Sequence, residues 1–130
     1  VVDGIAWICI KEKRLLCARS HGKEVFYLPG GKREVGETDW SGLHREVKEE
    51  VGVILIEETL KAMITIEEIA HGYAQPTQVM MKCFQAEYTG TLAAAAEIEQ
   101  LAWLQHVDKA QCAPATQGVI EHLKKQRLID

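Results

Sequence analysis

Residues 31–53 constrain the fold of this chain more than any other stretch of its 130 residues. Thr38 is a suitable helix N-cap, and Gly52 is the kind of residue at which helices commonly end. Between them, four apolar residues recur at helical spacing and form one narrow face: Trp40, Leu43, Val47 and Val51. The pattern predicts a helix that docks this face on a sheet. Gly42 inside the helix costs about 1 kcal/mol relative to alanine, and a close backbone contact is the one reason we see for it.

Three glutamates lie on one side of the same helix, beside its apolar face: Glu46, Glu49 and Glu50. At about 100° per residue they fall within an arc of about 100°. Like charges at this spacing repel by roughly 0.2–0.5 kcal/mol per pair, so we expect a cation to bind there. Carboxylate oxygens favour Mg²⁺, which proteins commonly hold together with substrate phosphates. The alternative is a solvated acidic face paired with Arg45 and Lys48; the Gly30-Gly31 loop and Glu37 upstream argue against it.

Apolar and β-branched runs on either side of this helix predict strands. The predicted strands cover residues 4–10, 14–20, 60–69, 77–88 and 98–104, and a short apolar piece at 25–28 ends at Pro29. Pro114 opens a second helix, whose core-facing residues are Val119, Ile120 and Leu123. Strands that surround two helices indicate an α+β sandwich.

The composition suits one domain with one hydrophobic core over residues 1–130, since 47% of the residues are hydrophobic and 26% are charged. A net charge of −4 argues against a broad basic surface for duplex nucleic acid. The four cysteines form no C-x-x-C pair, so we expect them to be reduced and buried in a cytoplasmic protein. We expect no membrane association, because no apolar run approaches ~20 residues and no signal peptide is visible.

The spacing of these residues resembles the signature of the Nudix hydrolases, G-x5-E-x7-R-E-U-x-E-E-x-G-U, where U is a bulky aliphatic residue. Gly31 is followed by five residues and Glu37, and seven more lead to Arg45-Glu46-Val47-Lys48-Glu49-Glu50-Val51-Gly52-Val53. The segment Leu28-Pro29-Gly30-Gly31-Lys32 is also similar to the usual lead-in of the family. The resemblance places the Nudix box at residues 31–53. It implies a Nudix α/β/α sandwich, with a mixed β-sheet flanked by helices.

The resemblance also implies a cofactor and its ligands. The cation would be Mg²⁺, with Mn²⁺ as a substitute, and a water that it activates would attack a phosphorus. Glu49 and Glu50 correspond to the main metal ligands of the family, and Glu46 to a further ligand or a base that orients water. The carbonyl of Gly30 would add a backbone ligand.

Further residues correspond to supporting and proton-transfer roles in the family. Arg45 would orient the carboxylates, and Glu37 would brace the loop by pairing with Arg45. Several family members carry the general base outside the box, on a loop before a later strand. Residues 97–103 resemble that segment, so Glu97 is the first candidate for the base and Glu99 the second; an exposed loop carboxylate is the alternative for Glu97.

Candidate contacts to the substrate are spread along the chain. Arg19 and Lys32 could bind phosphates, although for Arg19 an ordinary surface position is the alternative. Tyr27 and Tyr73 could stack on a nucleobase, whereas a packing role suits Trp103 better. The histidines show no ligand spacing.

The resemblance favours a pyrophosphohydrolase of nucleoside diphosphate-X compounds, most simply one that converts a (d)NTP to (d)NMP and pyrophosphate. ADP-ribose or a nucleotide sugar, dinucleoside polyphosphates and RNA 5′ ends are the alternative substrates. A non-enzymatic nucleotide-binding domain is the competing class, but the intact set of carboxylates argues against it. We expect a monomer or a homodimer.

The start of the second helix bears on base preference. In the MutT-type branch that destroys oxidised dGTP, a Pro-Ala-Asn segment stands here, and its Asn amide reads the purine edge with a donor and an acceptor. This chain has Pro114-Ala115-Thr116, so Thr116 replaces that Asn. A shift of one residue in the alignment would put Gln117 at this position. We therefore expect an enzyme that is not strictly specific for 8-oxo-dGTP.

Overall fold

The computed structural model describes residues 2–70 and 74–130. Its strands are β1 (Val2–Trp7), β2 (Ile10–Lys11), β3 (Arg14–Ser20), β4 (Gly30–Lys32), β5 (Ile54–Leu55), β6 (Lys61–Ala70), β7 (Thr77–Gln85), β8 (Tyr88–Thr89) and β9 (Ile98–Leu104). The helices are α1 (Asp39–Val51) and α2 (Pro114–Lys125), with short 3-10 helices at Glu57–Thr59 and His106–Gln111. The mixed sheet and its flanking helices confirm the predicted α+β fold.

The strands form three sheets of unequal size. The largest has the order β4-β1-β7-β6; β1 and β7 run parallel, and the other neighbours are antiparallel. A second sheet has the order β2-β3-β9, and β5 pairs with β8. β4, which carries Gly30 and Gly31, thus lies at the edge of the largest sheet beside β1.

Two of the predicted strands are longer than the strands in the structure. The run at 4–10 is two strands, because the chain leaves the largest sheet after Trp7 and pairs with β3 from Ile10 onward. The run at 77–88 ends at Gln85, and Tyr88–Thr89 pairs separately with β5. Apolar residues continue through both junctions, so periodicity alone could not separate the strands.

Each helix covers a different part of the core. On α1, Leu43, Val47 and Val51 are fully buried in one cluster with residues of β1. On α2, the predicted core residues are fully buried in a second cluster: Val119, Ile120 and Leu123. The apolar faces predicted for both helices are therefore confirmed.

The predicted caps of α1 are present. The side chain of Thr38 accepts a hydrogen bond from the backbone of Ser41, whose own hydroxyl accepts from the backbone of Thr38. At the other end, Gly52 adopts the left-handed conformation with φ 75°. These contacts fix where α1 begins and ends, and thus where its glutamates lie.

Gly42 is explained by a close approach of β1 to α1. A Cβ atom at this position would lie 2.6 Å from Cδ1 of Ile5 and 3.3 Å from Oε1 of Glu37. Ile5 is 1% exposed, so its side chain has little room to move. The missing side chain lets α1 dock closely on the sheet.

All four cysteines are free and buried, as the sequence predicts: Cys9, Cys17, Cys83 and Cys112. Within residues 2–70 and 74–130, no helix has the length and hydropathy needed to cross a membrane.

We predict opposite effects of the same substitution at two helical glycines. Gly42→Ala should lower the free energy of unfolding, because overpacking against Ile5 costs about 1–3 kcal/mol and outweighs the ~1 kcal/mol gain in helix propensity. Gly118→Ala in α2 is the matched control. Its Cβ would meet Ile66 at an ordinary 3.4 Å, so we expect it to stabilise. Urea unfolding of both variants tests this, and stabilisation by Gly42→Ala would contradict it.

Candidate active site

Two of the three glutamates on α1 are withdrawn from solvent. Glu50 is 7% exposed, and the side chain of Glu46 is 14% exposed, whereas that of Glu49 is 56% exposed. Glu46 and Glu50 flank the fully buried Val47, so the docking of the apolar face carries both carboxylates toward β4. The predicted position of the carboxylates at the margin of the helix–sheet contact is therefore observed.

The two glycines of β4 make room for these carboxylates. The backbone N–H of Gly30 donates a hydrogen bond to Oε1 of Glu50 at 2.8 Å. A Cβ at Gly31 would lie 2.7 Å from the carboxyl carbon of Glu46. At Gly30, with φ 151°, a Cβ would collide with the backbone of Ile5. Neither position therefore accepts a side chain without moving the site.

Arg45 joins the box loop to the acidic face of α1. Its Nε donates to Oε2 of Glu37 at 2.7 Å and its Nη2 donates to Oε1 at 2.8 Å, a two-point ion pair. Its Nη1 donates to Oε1 of Glu46 at 2.9 Å. Glu37 also accepts from the backbone N–H of Glu34 at 2.8 Å. The bonds from Arg45, followed by the one from Glu34, lower the pKa of Glu37 to about 2, and the bonds to Glu37 and Glu46 raise the pKa of Arg45.

The buried carboxylates are electrostatically unfavourable as they stand. Burial raises the pKa of Glu50 to about 8; the Gly30 N–H opposes this shift, and Glu97 and Glu46 add to it. Burial also raises the pKa of Glu46, against the opposing effect of Arg45. One arginine therefore does not compensate for the clustered negative charge, and a divalent cation would.

The donor set fits a hard cation, but it is not closed around one. Glu46, Glu49, Glu50 and the carbonyl of Gly30 offer only oxygen, which suits Mg²⁺ or Mn²⁺. Among the described residues, no three acidic, histidine or cysteine side chains already surround a common point. Arg45 occupies one oxygen of Glu46, and Gly30 occupies one oxygen of Glu50. Binding would therefore use the remaining oxygens or a small rearrangement.

The structure separates the two candidates for the general base. Glu97 is exposed, and its carboxyl lies near enough to Glu50 to contribute to the raised pKa of that residue. Glu99 instead accepts a hydrogen bond from Nη1 of Arg19 at 2.6 Å, with Nδ1 of His21 at 3.8 Å from its other oxygen. Glu97 thus lies near the acidic cluster of α1, whereas Glu99, in β9, pairs with Arg19 of β3.

The residues predicted to contact the substrate lie on different parts of the fold. Arg19 is held by Glu99 and also donates to Gln100 at 3.1 Å. Lys32 is exposed at the end of β4, and Tyr27 is 43% exposed beside Ala18 of β3.

Of the two candidates on α2, Thr116 is buried and Gln117 is partly buried. Thr116 is 1% exposed, and the amide of Gln117 donates to the carbonyl of Cys112 at 2.8 Å. Trp103 packs against the α1 core, as expected, and Tyr73 lies outside the described residues.

Sequence reasoning missed the backbone contacts around the site. The N–H groups of Ala93 and Ala95 bond to the end of α1 at Val51 and Glu50. The alanine run carries no motif that could have indicated these bonds. Ser41 in the capping box was also missed, although its position three residues after the N-cap is a usable signal.

We predict that Glu50 makes the stability of the cation-free protein fall with pH. Its pKa is higher when folded, so the folded state alone keeps this proton between the ordinary pKa and about 8. The free energy of unfolding should therefore fall from pH 5 to pH 8, by on the order of 3 kcal/mol from this group. Glu50→Gln should remove most of that fall, and the exposed Glu49→Gln should not. Urea unfolding in chelator measures it, and equal pH slopes in the two variants would refute the assignment.

Known proteins share this fold and this family. The NUDIX domain matches residues 3–124. The ORF135 protein of E. coli is similar in structure, with 22% identity and a TM-score of 0.78 over 97% of this chain and 90% of that one.

Two further solved structures share the fold. The MutT NUDIX hydrolase from Burkholderia pseudomallei has 21% identity and a TM-score of 0.77 over 92% of this chain and 95% of that one. The MutT protein from Methanosarcina mazei Go1 has 16% identity and a TM-score of 0.72 over 97% and 94%. No curated protein matches the sequence. The match over residues 3–124 shows that the chain belongs to the Nudix family and is a Nudix hydrolase, an enzyme that acts on phosphoanhydride bonds.

Proposed function

We propose that this enzyme is a Mg²⁺-dependent pyrophosphohydrolase of nucleoside diphosphate-X compounds that converts a (d)NTP to (d)NMP and pyrophosphate. The observation that carries the proposal is the position of Glu46 and Glu50 against the Gly30-Gly31 backbone, with Glu97 near Glu50. Clustered, partly buried carboxylates repel one another, and a cation held with a polyphosphate would relieve that repulsion. An uncharged ligand would leave it in place, so the cluster favours a phosphorylated substrate.

Glu49, Glu50, Glu46 and the carbonyl of Gly30 are the residues that would hold the cation. When bound, Mg²⁺ or Mn²⁺ would neutralise phosphate charge and make the phosphorus more electrophilic. Glu49 is the most exposed of the three carboxylates, with Oε2 3.7 Å from Nη1 of Arg45, and its exposure lets it reach a ligand that is partly in solvent. The Gly30 N–H donates a hydrogen bond to Oε1 of Glu50, so this oxygen is fixed in place.

Glu97 suits the role of general base. Its exposed carboxyl can contact a water while it remains beside Glu50. The water oxygen forms a bond to phosphorus, the phosphoanhydride bond to the leaving group breaks, and the proton of the water passes to Glu97. Arg45 and Glu37 do not touch the reacting atoms; their two-point pair keeps Glu46 in place.

Arg19 and Lys32 are proposed phosphate contacts. Glu99 holds the Arg19 guanidinium two residues along the chain from Glu97. This supports a role for Arg19 close to the reacting phosphate. Lys32 follows the two glycines directly and is exposed, so its flexible side chain can approach the same phosphates. Tyr27 offers an exposed ring on which a base could stack.

The start of α2 carries Thr116 and Gln117 where base recognition is expected. Thr116 is buried and carries a single hydroxyl, and the amide of Gln117 is engaged with Cys112. Thr116 is therefore not open to a purine edge, and one N–H of the Gln117 amide is already bonded to the backbone. This supports an enzyme that accepts several nucleotides or prefers a base other than 8-oxoguanine.

We predict that hydrolysis requires a divalent cation and the glutamates of α1. With a panel of nucleotides, activity should be negligible in chelator and should return with Mg²⁺ or Mn²⁺. Glu49→Gln and Glu50→Gln should each lower kcat by at least ~10²-fold, because a charged ligand is lost. Glu58→Gln, an exposed glutamate outside α1, is the matched control and should remain active. Product identification across the panel distinguishes (d)NTPs from ADP-ribose, nucleotide sugars, dinucleoside polyphosphates and RNA 5′ ends. Full activity in excess chelator would contradict the proposal.

We predict weak discrimination in favour of oxidised dGTP. The measurement is kcat/KM for 8-oxo-dGTP against dGTP, dATP, dCTP and dTTP. Loss of a paired, buried polar contact weakens discrimination by a few kcal/mol, so we expect no large preference for the oxidised nucleotide. A preference above ~10³-fold, about 4 kcal/mol in transition-state binding, would show that our interpretation of Thr116 is wrong.

A further inference from the structure

The alanine run at residues 93–96 closes the C-terminal end of α1. The N–H of Ala93 donates to the carbonyl of Val51 at 3.1 Å, and the N–H of Ala95 donates to the carbonyl of Glu50 at 2.9 Å. The last carbonyls of a helix lack partners within the helix. This loop supplies two of those partners. It is thereby attached to Glu50, whose side chain lies in the acidic cluster.

The chain then turns sharply at Ala96. The N–H of Ile98 donates to the carbonyl of Ala95 at 3.0 Å, which closes a tight turn with Ala96 and Glu97 at its centre. Ala96 has φ 53°, in the left-handed region. Turns with positive φ at the first central position usually carry glycine there. The left-handed backbone at Ala96 therefore sets the direction in which the chain enters Glu97.

The far side of Glu97 is fixed as well. Its carbonyl accepts a hydrogen bond from the N–H of His21 at 2.8 Å, and Ile98 begins β9 by pairing with Ser20. The Glu97 side chain is exposed, so no tight packing around it decides where its carboxyl lies. Its position beside Glu50 depends on the backbone on either side.

We infer that Ala96 is a positioning residue, whose left-handed turn, joined to the end of α1 through Ala95, holds the Glu97 carboxyl beside Glu50. The inference rests on the proposed role of Glu97 as general base. It extends that role, because it assigns a contribution to catalysis to a residue that has no reactive side chain. α1 thus carries the carboxylates of Glu46, Glu49 and Glu50. Through its last carbonyls it also fixes the loop that leads to Glu97.

The test uses two side chains of similar size at position 96. A β-branched residue strongly disfavours the left-handed region, whereas asparagine tolerates it. Ala96→Val should therefore displace Glu97 and lower kcat by roughly 10- to 100-fold, since misplacement by about 1 Å can cost about 10²-fold. KM should change little. Ala96→Asn should recover most of the activity, and Ala94→Val, at an equally exposed position without positive φ, is the control.

A double-mutant cycle shows whether Ala96 acts through Glu97. Glu97→Gln alone should lower kcat by ~10²–10⁴-fold, and adding Ala96→Val in that background should cause little further loss. If Ala96→Val and Glu97→Gln lowered kcat by independent factors that multiply in the double variant, the inference would be overturned and the base assignment would stand. A normal kcat for Ala96→Val, or a loss shared equally by Ala96→Asn and Ala94→Val, would have the same consequence. A normal kcat for Glu97→Gln would overturn both the base assignment and the inference, whereas the requirement for a cation is tested separately.

Discussion

The contact between β4 and α1 depends on two residues that have no side chain. Gly30 and Gly31 allow the carboxylates of Glu50 and Glu46 to lie directly against backbone, at distances that any larger residue would prevent. The apolar face of α1 brings the helix to the sheet, but the glycines decide how close its polar margin comes. Gly42 permits the same close approach one turn earlier, against Ile5. The arrangement of the carboxylates therefore depends on the distance between α1 and the sheet.

That spacing has an electrostatic cost. Glu46 and Glu50 are carried out of water together, and burial raises both of their pKa values, despite Arg45 beside Glu46 and the Gly30 N–H beside Glu50. Arg45 is itself committed to Glu37 through two short hydrogen bonds, so it acts as a rigid brace with limited capacity to neutralise the cluster. The stable core under α1 thus supports an unfavourable cluster of charges at the margin of the same contact. Such an arrangement is expected where the missing positive charge arrives with the substrate.

The sequence predicts the local features well and the non-local ones poorly. Thr38, Gly52 and the apolar face of α1 are short-range signals, and the structure contains all three. The sequence does not predict the break between β1 and β2, because the apolar run is continuous there. The two strands are separated only by their pairing with different partners, β7 and β3. The pairing of Glu99 with Arg19 and the bonds from the alanine run to α1 join residues far apart in the chain. No spacing rule encodes such contacts, so the geometry of the candidate site could be predicted only within the box.

The pairing of β3 with β9 has a consequence for the order in which the site can assemble. It joins Leu15 to Leu104, about ninety residues further along the chain, and contacts of such long range form slowly during folding. The box loop and α1 are close in sequence and can associate early, whereas Glu97 reaches them only once β9 has paired. A transient opening at the edge strand β9 would release the β9 side of Glu97 while α1 remained docked and Ala95 stayed bonded to it. The folded protein would then retain its cation ligands, and its base would be held from one side for as long as that edge stayed open.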